Sequence, residues 1–187
     1  MINGTKVFRT GVVLLTTFIL QAAFASQIPI VDVRVDLMLP VAVGAGIVAG
    51  AERGALVGFL GGLLVDLLTQ TPYGLSALAF SLAGYSIGGF ERGLLGGARW
   101  IRPVIAGVAG LGAVLVFGLA GAVLGNADWL DSYLVRVAVI DGVMTAALTP
   151  IVVPIMSWTD GEALGLDLDL GRFWRARIGR PGTVFRR

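Results

Sequence analysis

The chain has 187 residues, of which 56% are hydrophobic and only 14% charged, with a net charge of +2 and a mean hydropathy of +0.88. A soluble domain carries about 25% charged residues, so this composition cannot cover a water-facing surface and describes a multi-pass membrane protein. There is no Cys and no His, which excludes disulfides, thiol nucleophiles, Cys/His zinc sites and the usual general base.

Six apolar segments follow in chain order: Gly11–Ala25, Leu37–Ala51, Gly54–Leu68, Leu75–Phe90, Val104–Leu124 and Tyr133–Met156. Several fall short of the roughly 20 residues that a straight spanning helix needs. They therefore predict an all-α bundle of six tilted, mutually buried helices. Lys6 and Arg9 precede the first segment, and Ala23-Phe24-Ala25-Ser26 closes it. That pattern also resembles a cleavable signal peptide; the expectation is an uncleaved helix that serves as its own signal. Segments two and three are separated only by Glu52-Arg53, which predicts a tight turn there.

Charge placement sets the orientation. With the N-terminus inside, Lys6, Arg9, Arg53, Arg92, Arg99, Arg102, Arg172, Arg175, Arg177, Arg180, Arg186 and Arg187 fall on the inner side. Only Arg34 and Arg136 fall outside or near the outer face, while Asp32, Asp36, Asp128 and Asp131 sit in the outer loops. Twelve of fourteen basic residues inside is a strong positive-inside bias, so both termini are expected in the cytoplasm.

The third segment carries Gly54, Gly58 and Gly62 at four-residue spacing, ending in Asp66. Residues four apart share a helix face. This makes a smooth groove with a carboxylate at its outer end, and Gly46 and Gly50 continue the spacing backwards. Gly84 with Gly88, and Gly121 with Gly125, repeat it. Small residues so spaced let helices approach closely in lipid, and ordinary helix packing accounts for most of them. An ionised carboxylate at mid-membrane costs at least about 2.5–3.5 kcal/mol, so Asp66 needs a partner. Two arrangements stay open. It caps the Thr-Pro-x-Gly turn by accepting backbone N–H bonds, or it pairs with Arg136, with Asp141 as a second acceptor. Pro72 fixes φ for a tight corner and Gly74 permits a positive φ after it, so segments three and four should form a close hairpin.

The stretch GFLGGLLVDLLTQTPYGLSALAFSLAGYSIGGF resembles the core signature of the MreD family of rod shape-determining proteins. The family pattern is a glycine-rich helix ending in G-L-x-x-D-L, a turn with x-P-x-G-L, and a helix with A-L-x-x-x-L-x-G-Y. Gly62, Leu63, Asp66, Leu67, Pro72, Gly74, Leu75, Ala77, Leu78, Leu82, Gly84 and Tyr85 occupy those places. The resemblance implies a non-enzymatic component of the bacterial elongation machinery in the cytoplasmic membrane. Its partners would be MreC, the actin-like MreB, a class B penicillin-binding protein and RodA. It also implies a fold similar to the substrate-binding subunits of energy-coupling-factor transporters. No cofactor, metal or nucleic acid is expected, and a homodimer stays open.

The glycine groove would receive either another helix of the bundle or the single span of MreC. The competing expectation is a vitamin or metal transporter subunit that holds a ligand with Asp66, Arg136 and Asp141. The first segment lacks that family's Ala-x-x-x-Ala docking pattern, and Tyr73 and Tyr85 offer little aromatic cage. A proton-coupled transporter using Asp66 is a third reading. Residues 1–157 are expected to form the membrane domain and 158–187 a cytoplasmic tail. In that tail four acidic residues, beginning at Asp160, precede six Arg around Phe173 and Trp174. It either lies on anionic headgroups or is simply solvated.

Overall fold

The computed structural model describes residues 4–24, 36–69, 74–94, 100–124 and 132–160. All six elements are helices: α1 Gly4–Phe24, α2 Met38–Ala49, α3 Ala51–Leu68, α4 Leu75–Leu94, α5 Ile101–Val123 and α6 Ser132–Asp160. The number and order match the six apolar segments. By length and composition, Gly4–Ala23, Ile101–Val123 and Tyr133–Asp160 are each able to cross a membrane.

Helix α2 is the centre. Its residues Met38 to Ile47 are all buried, as expected of a helix that is apolar all round. It packs against α3, α4 and α6, and more lightly against α5 and α1. Pro40 lies in its first turn, where a missing N–H breaks no helical hydrogen bond. The turn between α2 and α3 falls at Gly50, with Glu52 and Arg53 already inside the first turn of α3, which corrects the expected position. Gly50 has φ 87°. Its N–H donates to the Gly46 carbonyl at 3.0 Å, and its carbonyl accepts from the Gly54 N–H at 2.9 Å. One residue thus ends one helix and opens the next, in a conformation that suits glycine.

Two antiparallel hairpins flank this centre. The α3–α4 hairpin has the most extensive contact in the molecule, followed by α5–α6. In the second, Gly107 and Gly142 face each other so closely that a Cβ on Gly107 would lie 3.0 Å from the Gly142 carbonyl oxygen. Helix α6 contains Pro150 and Pro154, each of which removes one backbone donor. Hydroxyls near them bond back to the helix: Thr149 Oγ1 donates to the Thr145 carbonyl at 2.6 Å and Ser157 Oγ to the Pro154 carbonyl at 2.7 Å. Such bonds help membrane helices tolerate proline. Helix α1 is peripheral. It buries only Leu14 and Gln21 among its described side chains.

Candidate functional site

The glycines of α3 meet the backbone of α4. A Cβ on Gly58 would collide with the Phe80 carbonyl, and one on Gly62 with the backbone of Ala77. Gly54 abuts the Gly84 carbonyl and the Cα of Gly46, while Gly84 in turn abuts the Gly54 carbonyl. Gly88 lies against Gly50 and Ala51 at the α2–α3 turn. Gly54, Gly58, Gly62, Gly84 and Gly88 therefore form one seam, with α2 joining it through Gly46. The groove is filled by a helix of the same chain. Gly125 lies outside the described residues, and Gly118 takes the corresponding place in α5, against Leu134.

Asp66 stands at the outer end of this seam and is 1% exposed. Its Oδ2 accepts from the Gly74 N–H at 2.7 Å and its Oδ1 from the Ser76 N–H at 3.2 Å. Gly74 has φ +100°, and its carbonyl accepts the first helical bond of α4, from the Leu78 N–H at 2.9 Å. Asp66 thus caps the next helix from outside it. It occupies donors that a helix start leaves without intrahelical partners, and its negative charge suits the positive end of the helix dipole. This geometry is that of the turn cap. Arg136 is exposed on α6, and no ion pair joins it to Asp66 among the described residues. Asp141 is buried, at 6% exposed. Pro72 and Gln70 lie outside the described residues.

Two polar groupings were not foreseen from sequence. At the outer end, the Gln21 Oε1 accepts from the Leu37 N–H at 2.6 Å, and Asp36 Oδ1 from the Met38 N–H at 3.0 Å, so both serve the start of α2. At the inner end, Asp160 accepts from Lys6 Nζ at 3.1 Å and from the Arg53 guanidinium. Arg9 lies over the Trp158 ring, 4.7 Å from its centroid, and donates to the Trp158 carbonyl at 3.2 Å. Helix α6 therefore runs to Asp160, three residues past the expected end of the membrane domain at 157, and latches α1 and α3. The basic partners are 35% and 45% exposed, so water and salt screen the pairs. Asp160→Asn is expected to lower thermal stability by at most about 1 kcal/mol. The difference from the parent should vanish in high salt.

The chain matches the family model described as rod shape-determining protein MreD over residues 5–158. The chain belongs to the MreD family. The match spans all six helices, from the second residue of α1 to Trp158 near the end of α6. No curated protein and no solved structure matches the chain. Membership in the MreD family assigns a role in determining rod shape. With three helices able to span, that role is exercised from a membrane. The signature residues of the sequence now have physical duties in this MreD-family chain. Gly62 and Ala77 form the close contact, Asp66 and Gly74 the cap, and Gly84 the three-helix junction.

Proposed function

We propose that this chain is a non-enzymatic scaffold of the bacterial elongation machinery, seated in the cytoplasmic membrane. In this reading it binds MreC and helps couple MreB to a class B penicillin-binding protein and RodA. The observation that carries it is the family match across every helix. A seam of backbone contacts from α2 to α4 suits a rigid platform more than a moving gate.

Because the Gly54–Gly58–Gly62 groove is occupied by α4, the partner span is assigned elsewhere. Helix α1 offers Val12, Leu15 and Ile19 to the lipid side, all well exposed, and touches the bundle lightly. In lipid, such a face is open to another helix by van der Waals packing. Pull-down of the tagged chain from native membranes in gentle detergent should recover MreC together with a penicillin-binding protein. A photo-crosslinker at Leu15 should capture the MreC span, whereas one at Gly58 should not. Recovery of a paired ATPase module with its coupling membrane subunit would replace this reading with the transporter one.

A further inference from the structure

Three cations gather at the last turn of α6. Lys6 Nζ lies 3.1 Å from Asp160 Oδ1, and the Arg53 guanidinium reaches the same oxygen. Arg9 follows Lys6 by three residues and so shares its side of α1. It lies over the Trp158 ring, 4.7 Å from the centroid, and one of its N–H groups serves the Trp158 carbonyl. A latch alone does not need all three. One cation satisfies one carboxylate, and each further one adds repulsion between like charges. The only other carboxylate described at this end of the three helices is Glu52. It is exposed and turned about 100° from Arg53 around α3. Among the described residues of α1, α3 and α6, the cluster therefore keeps a positive charge in excess.

Donors are left over as well. An ammonium carries three N–H groups and a guanidinium five, and the contacts above occupy one on each side chain. Lys6 and Arg53 are partly exposed, so the remaining donors can be reached from outside. The depth is that of lipid headgroups. The apolar stretch Gly4–Ala23 begins here, and Tyr133–Asp160 ends here. Trp158 is 54% exposed, as suits an indole at a membrane–water boundary. Deeper in the membrane, Val12 and Leu15 on α1 and Ile155 and Ile151 on α6 are exposed apolar side chains.

We propose that this cluster binds the phosphate of an anionic phospholipid, one lipid per chain. Lys6, Arg9 and Arg53 donate to the phosphate oxygens, and Trp158 holds Arg9 beside them. The acyl chains lie along the exposed apolar side chains of α1 and α6. The headgroup supplies the negative charge that Asp160 and Glu52 leave unmet, and it ties the lightly packed α1 to α3 and α6. Basic pockets between membrane helices recognise phosphate-bearing headgroups in this way, and the guanidinium fork matches phosphate oxygens. This assignment uses the membrane setting and none of the proposed protein partners.

The deciding experiment is native mass spectrometry of the purified full chain in detergent, titrated with phosphatidylglycerol or phosphatidylcholine. Both lipids carry a phosphate, but only the first has a net negative charge. The parent should retain one phosphatidylglycerol and release phosphatidylcholine. Lys6→Gln, Arg9→Gln and Arg53→Gln should each weaken retention about fivefold, and the triple variant about a hundredfold. Asp160→Asn should strengthen retention, because its carboxylate competes for the same cations. Arg136→Gln, an equal loss of charge near the other end of α6, should change nothing. Equal retention of the two lipids overturns the proposal, as does weaker binding by Asp160→Asn. A loss in Arg136→Gln that matches Lys6→Gln reduces the effect to overall charge and also overturns it. Displacement of the lipid by an equal concentration of inorganic phosphate would make this a free-ion site instead. If the triple variant fails to fold, the single variants and Asp160→Asn still decide.

Discussion

Gly62→Val will leave almost no folded protein. The added side chain would have to occupy the space of the Ala77 backbone, with the Ser76 carbonyl carbon close beside it. Backbone cannot rotate aside as a flexible side chain can. The two helices must separate along the whole seam, because Gly58 and Gly54 hold the same close approach one and two turns away. Overpacking typically costs about 1–3 kcal/mol. Here the clash is with main chain, and the close van der Waals contact that drives helix association in lipid is lost too, so a loss above about 3 kcal/mol is expected. Gly61→Val provides the control. A Cβ at Gly61 would rest 3.6 Å from Met38 Sδ and 3.7 Å from Leu14 Cδ2, both flexible side chains. The yield of monodisperse protein on size exclusion should fall sharply for Gly62→Val and remain substantial for Gly61→Val. Equal yields would mean that the seam is not as close as described.

Asp66→Ala will be the second most damaging change. It strips two acceptors, one from the half-buried N–H of Gly74 and one from the buried N–H of Ser76. Each unsatisfied donor costs about 1–3 kcal/mol, so a loss of roughly 2–6 kcal/mol is expected for the two. Asp66→Asn keeps one acceptor oxygen and should lose about half as much. Arg136→Ala should change stability by less than about 0.5 kcal/mol, the usual effect at an exposed site without special contacts. Thermal unfolding of the three variants separates the cap from the ion pair. If Arg136→Ala were as harmful as Asp66→Ala, the pair would have to be reinstated.

Much of this architecture was legible in advance. Apolar length gave six helices, and four-residue glycine spacing identified the side of α3 that admits a close neighbour. The pairing of that side with α4 was only one of two expected occupants. The choice depends on a turn too short to leave room for any other helix. Asp66 and Gly74 were both recognisable, one as a carboxylate in an apolar run and the other from the Pro-x-Gly corner. Their hydrogen bond was one of two options, since spacing does not say which N–H groups a side chain reaches. The turn at Gly50 carries no such mark, because the charged Glu52-Arg53 pair reads as a loop in sequence yet occupies the first turn of α3. In sequence, Asp160 opens the polar tail. Its partners Lys6 and Arg53 come from distant parts of the chain, and no local pattern links them. Asp36 counted as one acidic loop residue among several. Its bond from the Met38 N–H appears only once α2 starts directly after it.

The cap that Asp66 provides also constrains how the chain is made. The carboxylate leaves the ribosome before the two N–H groups it will serve, which lie eight and ten residues downstream. Until those emerge, α3 is a segment bearing Glu52, Arg53 and Asp66 without the α4 N–H groups that the carboxylate will serve, a poor candidate for release into lipid alone. Helix α4 follows with the missing donors and with the surface that closes over the glycines. The two are thus expected to enter the bilayer as a single hairpin, already joined, rather than one after the other. The same few residues that weld the finished fold would set the order of its assembly.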